Sequence, residues 1–139
     1  MPKNTVYLEA PDRTQDLLDI KWALRSAGYA IRSSWHDCVA STSLLDSSDH
    51  WNRKHVEELQ ACDLLVVVCG KSDGVIPEVS MMAGFALARG LRVIWIGPYL
   101  PGLTDFRAVQ QFDTAEEFRR HILEEMYSQP ASTGNKLAA

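Results

Sequence analysis

Residues 62–97 read CDLLVVVCGKSDGVIPEVSMMAGFALARGLRVIWIG. An apolar run, Leu64 to Val68, stops at Cys69-Gly70, and a polar loop then carries Lys71, Ser72 and Asp73. A helix is predicted to open near Pro77, with Glu78 in its first turn, and to stop at Gly90. Proline suits the first helical turn because the N–H it lacks would have no intrahelical acceptor there. Glycine after the last turn supplies the left-handed backbone that ends a helix. Leu91 to Ile96 forms a second apolar run, closed by Gly97-Pro98. The stretch therefore reads strand, loop, helix, strand. Both strands are apolar enough to be covered on two faces, as in a parallel sheet between helices.

Upstream, Thr5 to Ala10 is a short first strand broken by Pro11-Asp12. Asp12 with Gln15 has capping-box spacing, and Leu17, Ile20, Leu24 and Ala27 repeat at helical intervals up to Gly28, which predicts a helix from about 13 to 27. Tyr29 to Trp35 reads as a second strand, followed by a Ser-, Thr- and Asp-rich loop. Ser48 can cap a helix whose Trp51, His55, Leu59 and Cys62 share one stripe. Downstream, Val109 to Phe112 is a short edge strand, and Thr114 with Glu117 opens a last helix with Phe118, Ile122 and Met126 inside. This alternation defines one α/β domain over residues 1–127, a doubly wound three-layer fold with a five-stranded parallel sheet of order 2-1-3-4-5, the flavodoxin-like arrangement. Residues 128–139 read as a polar tail. In that strand order ligands bind beyond the carboxyl ends of strands one and three. The residues gathered there are Glu9, Pro11 and Asp12 from the first loop and Gly70 to Glu78 from the third.

Composition narrows the function. The 139 residues carry 18 acids against 14 bases, a net charge of −4 without blocks of like sign, which argues against nucleic acid or an anionic membrane as partner. No apolar run reaches membrane-spanning length, and a strand so close to Met1 leaves no room for a signal peptide, so a cytoplasmic protein is expected. Cys38, Cys62 and Cys69 are an odd number without metal-type spacing and read as reduced thiols. The four histidines show no metal-ligand spacing either, and no cofactor is implied. Neither G-x-G-x-x-G after the first strand nor G-x-x-x-x-G-K-[ST] anywhere is present. Glu9-Ala10-Pro11-Asp12 is not the phosphate loop of a flavodoxin, and Cys69-Gly70 stands where a response-regulator receiver carries its aspartate.

The junction at Asp73 and Glu78 offers paired-carboxylate chemistry. A carboxylate in the first turn of a helix is stabilised in its ionised form by free N–H groups and the helix dipole. An ionised Glu78 could attack an electron-poor carbon, such as the anomeric carbon of a sugar, while Asp73 or Asp12 protonates the leaving group. Retaining glycosidic chemistry divides the work in this way between carboxylates about 5 Å apart. The same residues also suit structural work: Asp12 as a cap, Asp73-Gly74 as a turn, Glu78 as a first-turn acid.

Val6-Tyr7-Leu8-Glu9-Ala10-Pro11 resembles the opening strand, usually Y-L-A-G-P, of the nucleoside 2-deoxyribosyltransferase-like superfamily, which includes the 2-deoxynucleoside 5-phosphate N-hydrolases. Ser34-Trp35 followed by Asp37, the run from Cys62 to Val67, and Gly84-Phe85-Ala86-Leu87-Ala88-Arg89-Gly90 are similar to later segments of the same family, in order. The resemblance implies N-glycosidic chemistry on a 2-deoxynucleoside or its 5-phosphate. It implies a glutamate nucleophile at the start of the helix after strand three, and an aspartate from the first or third loop acting on the base. It also implies a substrate pocket about Tyr7, Glu9, Pro11, Asp12, Trp35, Gly70 and Met82, and a homo-oligomer, dimer or larger, in which a neighbour completes the site. Counted back from Gly84, the family pattern E-x-G-x-A places its glutamate at Met82, whereas Glu78 lies one turn earlier. Glu9 stands where the family has a small residue, and residues 73–77 lack its D-S-G-T loop. Two readings follow: a catalyst with Glu78 as nucleophile, or a non-catalytic nucleotide-binding or assembly module on the same fold.

Overall fold

The computed structural model of the chain describes residues 5–10, 14–34, 48–69 and 77–138, and for residues 48–52, 77–78 and 129–138 the backbone alone. Its elements are β1 (Thr5–Glu9), α1 (Gln15–Ser26), β2 (Ala30–Ile31), α2 (Ser48–Gln60), β3 (Leu64–Val68), α3 (Pro77–Ala88), β4 (Arg92–Ile96), β5 (Val109–Phe112) and α4 (Ala115–Ala138). The strands form one parallel sheet of order β2-β1-β3-β4-β5, as the sequence predicts.

Period-two alternation along each strand sorts the core into two layers. Val6 and Leu8 of β1, Leu64, Val66 and Val68 of β3, and Ile94 and Ile96 of β4 meet Leu17, Ile20 and Leu24 of α1 and Phe118 and Ile122 of α4. The intervening residues, Tyr7, Leu65, Val67, Val93 and Trp95, join Leu59 of α2 and Val79, Met82, Ala83 and Ala86 of α3. All five residues of β3 are buried, because the central strand has helices on both sides. Among the described residues no helix is long and apolar enough to cross a membrane.

Two helices end as their glycines foretell. Gly28 and Gly90 have φ of 95° and 80°, values that favour a residue without Cβ. The next residue in each case turns back on the helix: Tyr29 N–H donates to Leu24 O at 3.0 Å and Leu91 N–H to Ala86 O at 2.9 Å.

Two expectations need correction. α1 is capped by Thr14, not by Asp12: its extended backbone (φ −119°, ψ 169°) lets its hydroxyl accept from Leu17 N–H at 3.2 Å. Asp12 lies outside the described residues. β2 is shorter than Tyr29 to Trp35. The ladder covers Ala30 and Ile31, Arg32 N–H still donates to Val6 O, and the Ser33 hydroxyl then accepts from Leu8 N–H at 2.9 Å in place of a backbone carbonyl. α4 itself runs on to Ala138. At the other end of α4, Glu117 N–H donates to Thr114 Oγ1 at 3.1 Å, while the Glu117 carboxylate accepts from Asp113 N–H, one residue before the cap, at 3.3 Å.

Candidate active site

The sheet reverses its winding between β1 and β3, and the carboxyl ends of these strands meet with Glu9 opposite Val67. Glu9 is a carboxylate with only 8% of its surface exposed. By strand alternation it shares the α2/α3 face with Tyr7, two residues earlier. Glu9 therefore lies at the switch point, where a doubly wound sheet places its ligands.

Tyr7 lies fully buried beneath it. Its ring meets His55 of α2 edge-on, with centroids 6.5 Å apart. Its hydroxyl has no hydrogen-bond partner among the described residues. Burial drives the phenol pKa far above its ordinary value, and the negative charges of Glu9 and Glu58 and the Cys62 thiol add to the effect. The group therefore stays protonated at any physiological pH and can only offer or accept a hydrogen bond. A buried hydroxyl without a partner costs about 1–3 kcal/mol, so Tyr7→Phe is expected to raise the melting temperature by several degrees, as thermal denaturation followed by circular dichroism would record.

Glu58, which the sequence reading passed over, fastens the exit of β2 to α2. Its carboxylate accepts from Ser34 Oγ at 2.6 Å and from Ser34 N–H at 3.2 Å. Helical spacing offered a hint, since Glu58 stands three residues after His55 in the stripe that faces the sheet. One turn further on, the Cys62 thiol donates to Glu58 O at 3.2 Å. Burial raises this thiol's pKa to about 11, with Asp63 and Glu58 adding to the rise and Arg32 and the hydrogen bond to Thr5 opposing it. Because the folded value lies above the unfolded one near 9, the unfolded chain loses this proton first. The contribution to stability is whole below about pH 9 and is lost as pH climbs toward 11. Cys62→Ser is expected to flatten that alkaline decline in urea midpoints measured across the interval.

The opposite wall is made by β3 and β4. Cys69 N–H donates to Ile96 O and Gly97 N–H to Phe112 O, each at 2.8 Å. A Cβ on Gly97, whose φ is 154°, would stand 2.8 Å from Cys69 Cβ, so only glycine lets the two strand ends close up. Trp95 fastens the same corner, its indole N–H donating to Pro98 O at 3.0 Å.

The remaining candidates are distributed as follows. Met82, the position at which the family register puts its glutamate, is 4% exposed and belongs to the core between α3 and the sheet. Glu78 is the second residue of α3, one turn before Met82, at the end of the helix that follows the carboxyl end of β3. Pro11, Asp12, Trp35, Gly70 and Asp73 lie outside the described residues. The structure thus brings Tyr7, Glu9 and Met82 to one face of the sheet and adds His55, Glu58 and Ser34 beside them.

The sheet order and its two helical layers define a doubly wound α/β fold. Within it, the chain is similar over 85% of its length to a CMP N-glycosidase from Clostridium botulinum, BcmB, of which it covers 97%, at 19% identity and a TM-score of 0.61. It also overlays on the methanol:cobalamin methyltransferase complex MtaBC from Methanosarcina barkeri, with 91% of this chain and 48% of that one, 12% identity and a TM-score of 0.50. The chain spans about half the length of that second protein. No protein-family model and no curated protein sequence matches the chain. At these identities the likeness establishes the fold, and two such different chemistries on one fold leave the reaction to be argued from the site.

Proposed function

We propose that the chain breaks the N-glycosidic bond of a 2-deoxynucleoside or its 5-phosphate, with Glu78 as nucleophile and Asp73 or Asp12 as proton donor. The Glu78 carboxylate attacks the anomeric carbon. The bond to the base breaks, its electron pair passes to the base nitrogen, and the second acid supplies the proton. Water, or the base of an acceptor, then releases the sugar from the glutamyl ester, giving hydrolysis or transfer. The observation that carries this reading is the position of Glu78 as the second residue of a 12-residue helix, at the end where the dipole favours an ionised carboxylate. The fold shared with a CMP N-glycosidase supports it. Glu9 and the Tyr7 hydroxyl would bind the sugar from the β1 side. As in the family it resembles, the chain would act as a homo-oligomer.

One observation favours a different reading. Met82 is buried at the family's register position for the glutamate, as it would be in a module that keeps the fold and binds nucleotides without turning them over. Incubation with the deoxynucleosides and their monophosphates, followed by chromatography for free base, separates the two. Released base supports the enzyme. Ligand-dependent stabilisation without any released base sinks it and leaves the binding module.

A further inference from the structure

Tyr7 and Glu9 stand two residues apart on β1, which sets them on one face of the sheet, about 6.6 Å from each other along the strand. The two groups are opposite in kind. Tyr7 is fully buried, and its hydroxyl has no hydrogen-bond partner among the described residues. Burial and the negative charge of Glu9, which acts on the phenol more strongly than Glu58 or Cys62, hold the hydroxyl protonated, so it keeps an O–H to donate. A carboxylate ion only accepts, and its two oxygens take several hydrogen bonds at once. Glu58, the other acid acting on the phenol, is engaged by the Ser34 N–H and hydroxyl at 3.2 and 2.6 Å. His55 packs edge-on against the Tyr7 ring from α2 and limits its swing. A fixed donor beside a fixed acceptor matches a ligand group that accepts and donates in turn, which is an alcohol. A phosphate oxygen, an acceptor of the same charge as Glu9, does not match it.

We infer that Tyr7 and Glu9 together read the 3-hydroxyl of the sugar, and that the site takes only monomers whose 3-position is free. The Tyr7 O–H donates to the oxygen of that hydroxyl, and the hydroxyl donates to the Glu9 carboxylate. The inference rests on the proposed substrate, and the choice of hydroxyl follows from it. A 2-deoxynucleoside and its 5-phosphate have one free hydroxyl in common, the one on carbon 3: carbon 2 carries none, and the 5-hydroxyl is esterified in the phosphate. A 3-phosphate, or a nucleotide joined to the next through its 3-oxygen, brings no proton for Glu9 and sets a like charge against it. An analogue without the 3-hydroxyl leaves the buried Tyr7 O–H unsatisfied. Sites that hydrogen-bond a substrate hydroxyl discriminate strongly against the analogue that lacks it, because binding the analogue strands buried polar groups.

Isothermal titration calorimetry of the full chain with the common 2-deoxynucleosides, their 2,3-dideoxy counterparts and their 3-monophosphates tests this. For the base that binds best, the deoxynucleoside is expected to bind at least about a hundredfold more tightly than the dideoxynucleoside, and the 3-monophosphate no better than the latter. Tyr7→Phe keeps the ring in the core and should shrink the first ratio to less than about tenfold, chiefly by weakening the deoxynucleoside. Glu9→Gln removes the charge and should narrow the gap between deoxynucleoside and 3-monophosphate. The dideoxynucleoside is the internal control, since a damaged fold would lose it as well. Equal binding of deoxy- and dideoxynucleoside by the parent overturns the inference, as does a ratio that Tyr7→Phe leaves intact. Base release measured on the same samples reports separately on the chemistry. Release without the ratio sinks the inference and keeps the reaction, the ratio without release does the reverse, and no binding of any of these ligands overturns both.

Discussion

Glu78→Ala is expected to reduce base release by at least about a thousandfold, the order of loss that follows removal of a covalent nucleophile. The structural cost of the change is small by comparison. A first-turn carboxylate contributes about 0.3–1 kcal/mol to its helix, too little to unfold a domain whose α3 is anchored by Val79, Met82, Ala83 and Ala86. Loss of turnover with a nearly unchanged melting temperature therefore points to chemistry. Met82→Leu serves as the control. A volume-conserving change in the core costs less than about 1.5 kcal/mol and should leave kcat within a few-fold. The pair of variants tests the one-turn ambiguity directly, because it asks which of two positions on the same helix the reaction needs. Turnover surviving Glu78→Ala to within tenfold would remove Glu78 from the mechanism and bring the buried Glu9 forward.

The sheet was legible because β3 and β4 announce themselves twice, by continuous apolar runs and by the glycines and proline that bracket α3. Order and connectivity then follow from the rules of parallel sheets. Short-range ambiguities were harder. Asp12 and Thr14 are both good helix caps, and only the extended backbone at Thr14, which brings its hydroxyl to Leu17 N–H, decides between them. Tyr29 to Trp35 has the composition of a strand, but Ser33 accepts the Leu8 N–H with its side chain and the regular ladder stops at Ile31. Hydroxyls compete for backbone donors in this way wherever a strand leaves a sheet.

At the site, the strand ends were legible and the cluster behind them was not. Glu9 and Tyr7 follow from position on β1. Glu58 could not be tied to Ser34 from a single sequence, since 24 residues separate them and the ion-dipole contact exists only once α2 lies on the sheet. That the Tyr7 hydroxyl has no hydrogen-bond partner among the described residues is likewise a tertiary fact: the same tyrosine in a strand reads as core until its depth and neighbours are known. It also links stability to function. If the hydroxyl is kept for a ligand, Tyr7→Phe gains stability and weakens nucleotide binding together, the trade-off expected where a site holds a group it does not satisfy itself.

Trp95→Ala should cost more stability than any surface or capping change in this chain. Trp95 sits in β4 with Val67 of β3 on one side and Gln111 of β5 on the other, without exposed surface. It is the largest side chain of the core between the sheet and α2/α3. Truncation removes that volume at about 3–5 kcal/mol and the indole hydrogen bond to Pro98 O at about 1 kcal/mol more. Against a total of roughly 5–15 kcal/mol this is about a quarter of the domain's stability or more, and the midpoint should fall by about 10–20 °C. Trp95→Phe keeps most of the volume and loses the N–H, so it should fall between the parent and the alanine variant in a thermal melt. Equal losses for the two would mean that the tie to Pro98, rather than the filled core, holds this corner. In that case the effect should reach the candidate site first, because the same corner sets Gly97 against Cys69 at the carboxyl end of β3.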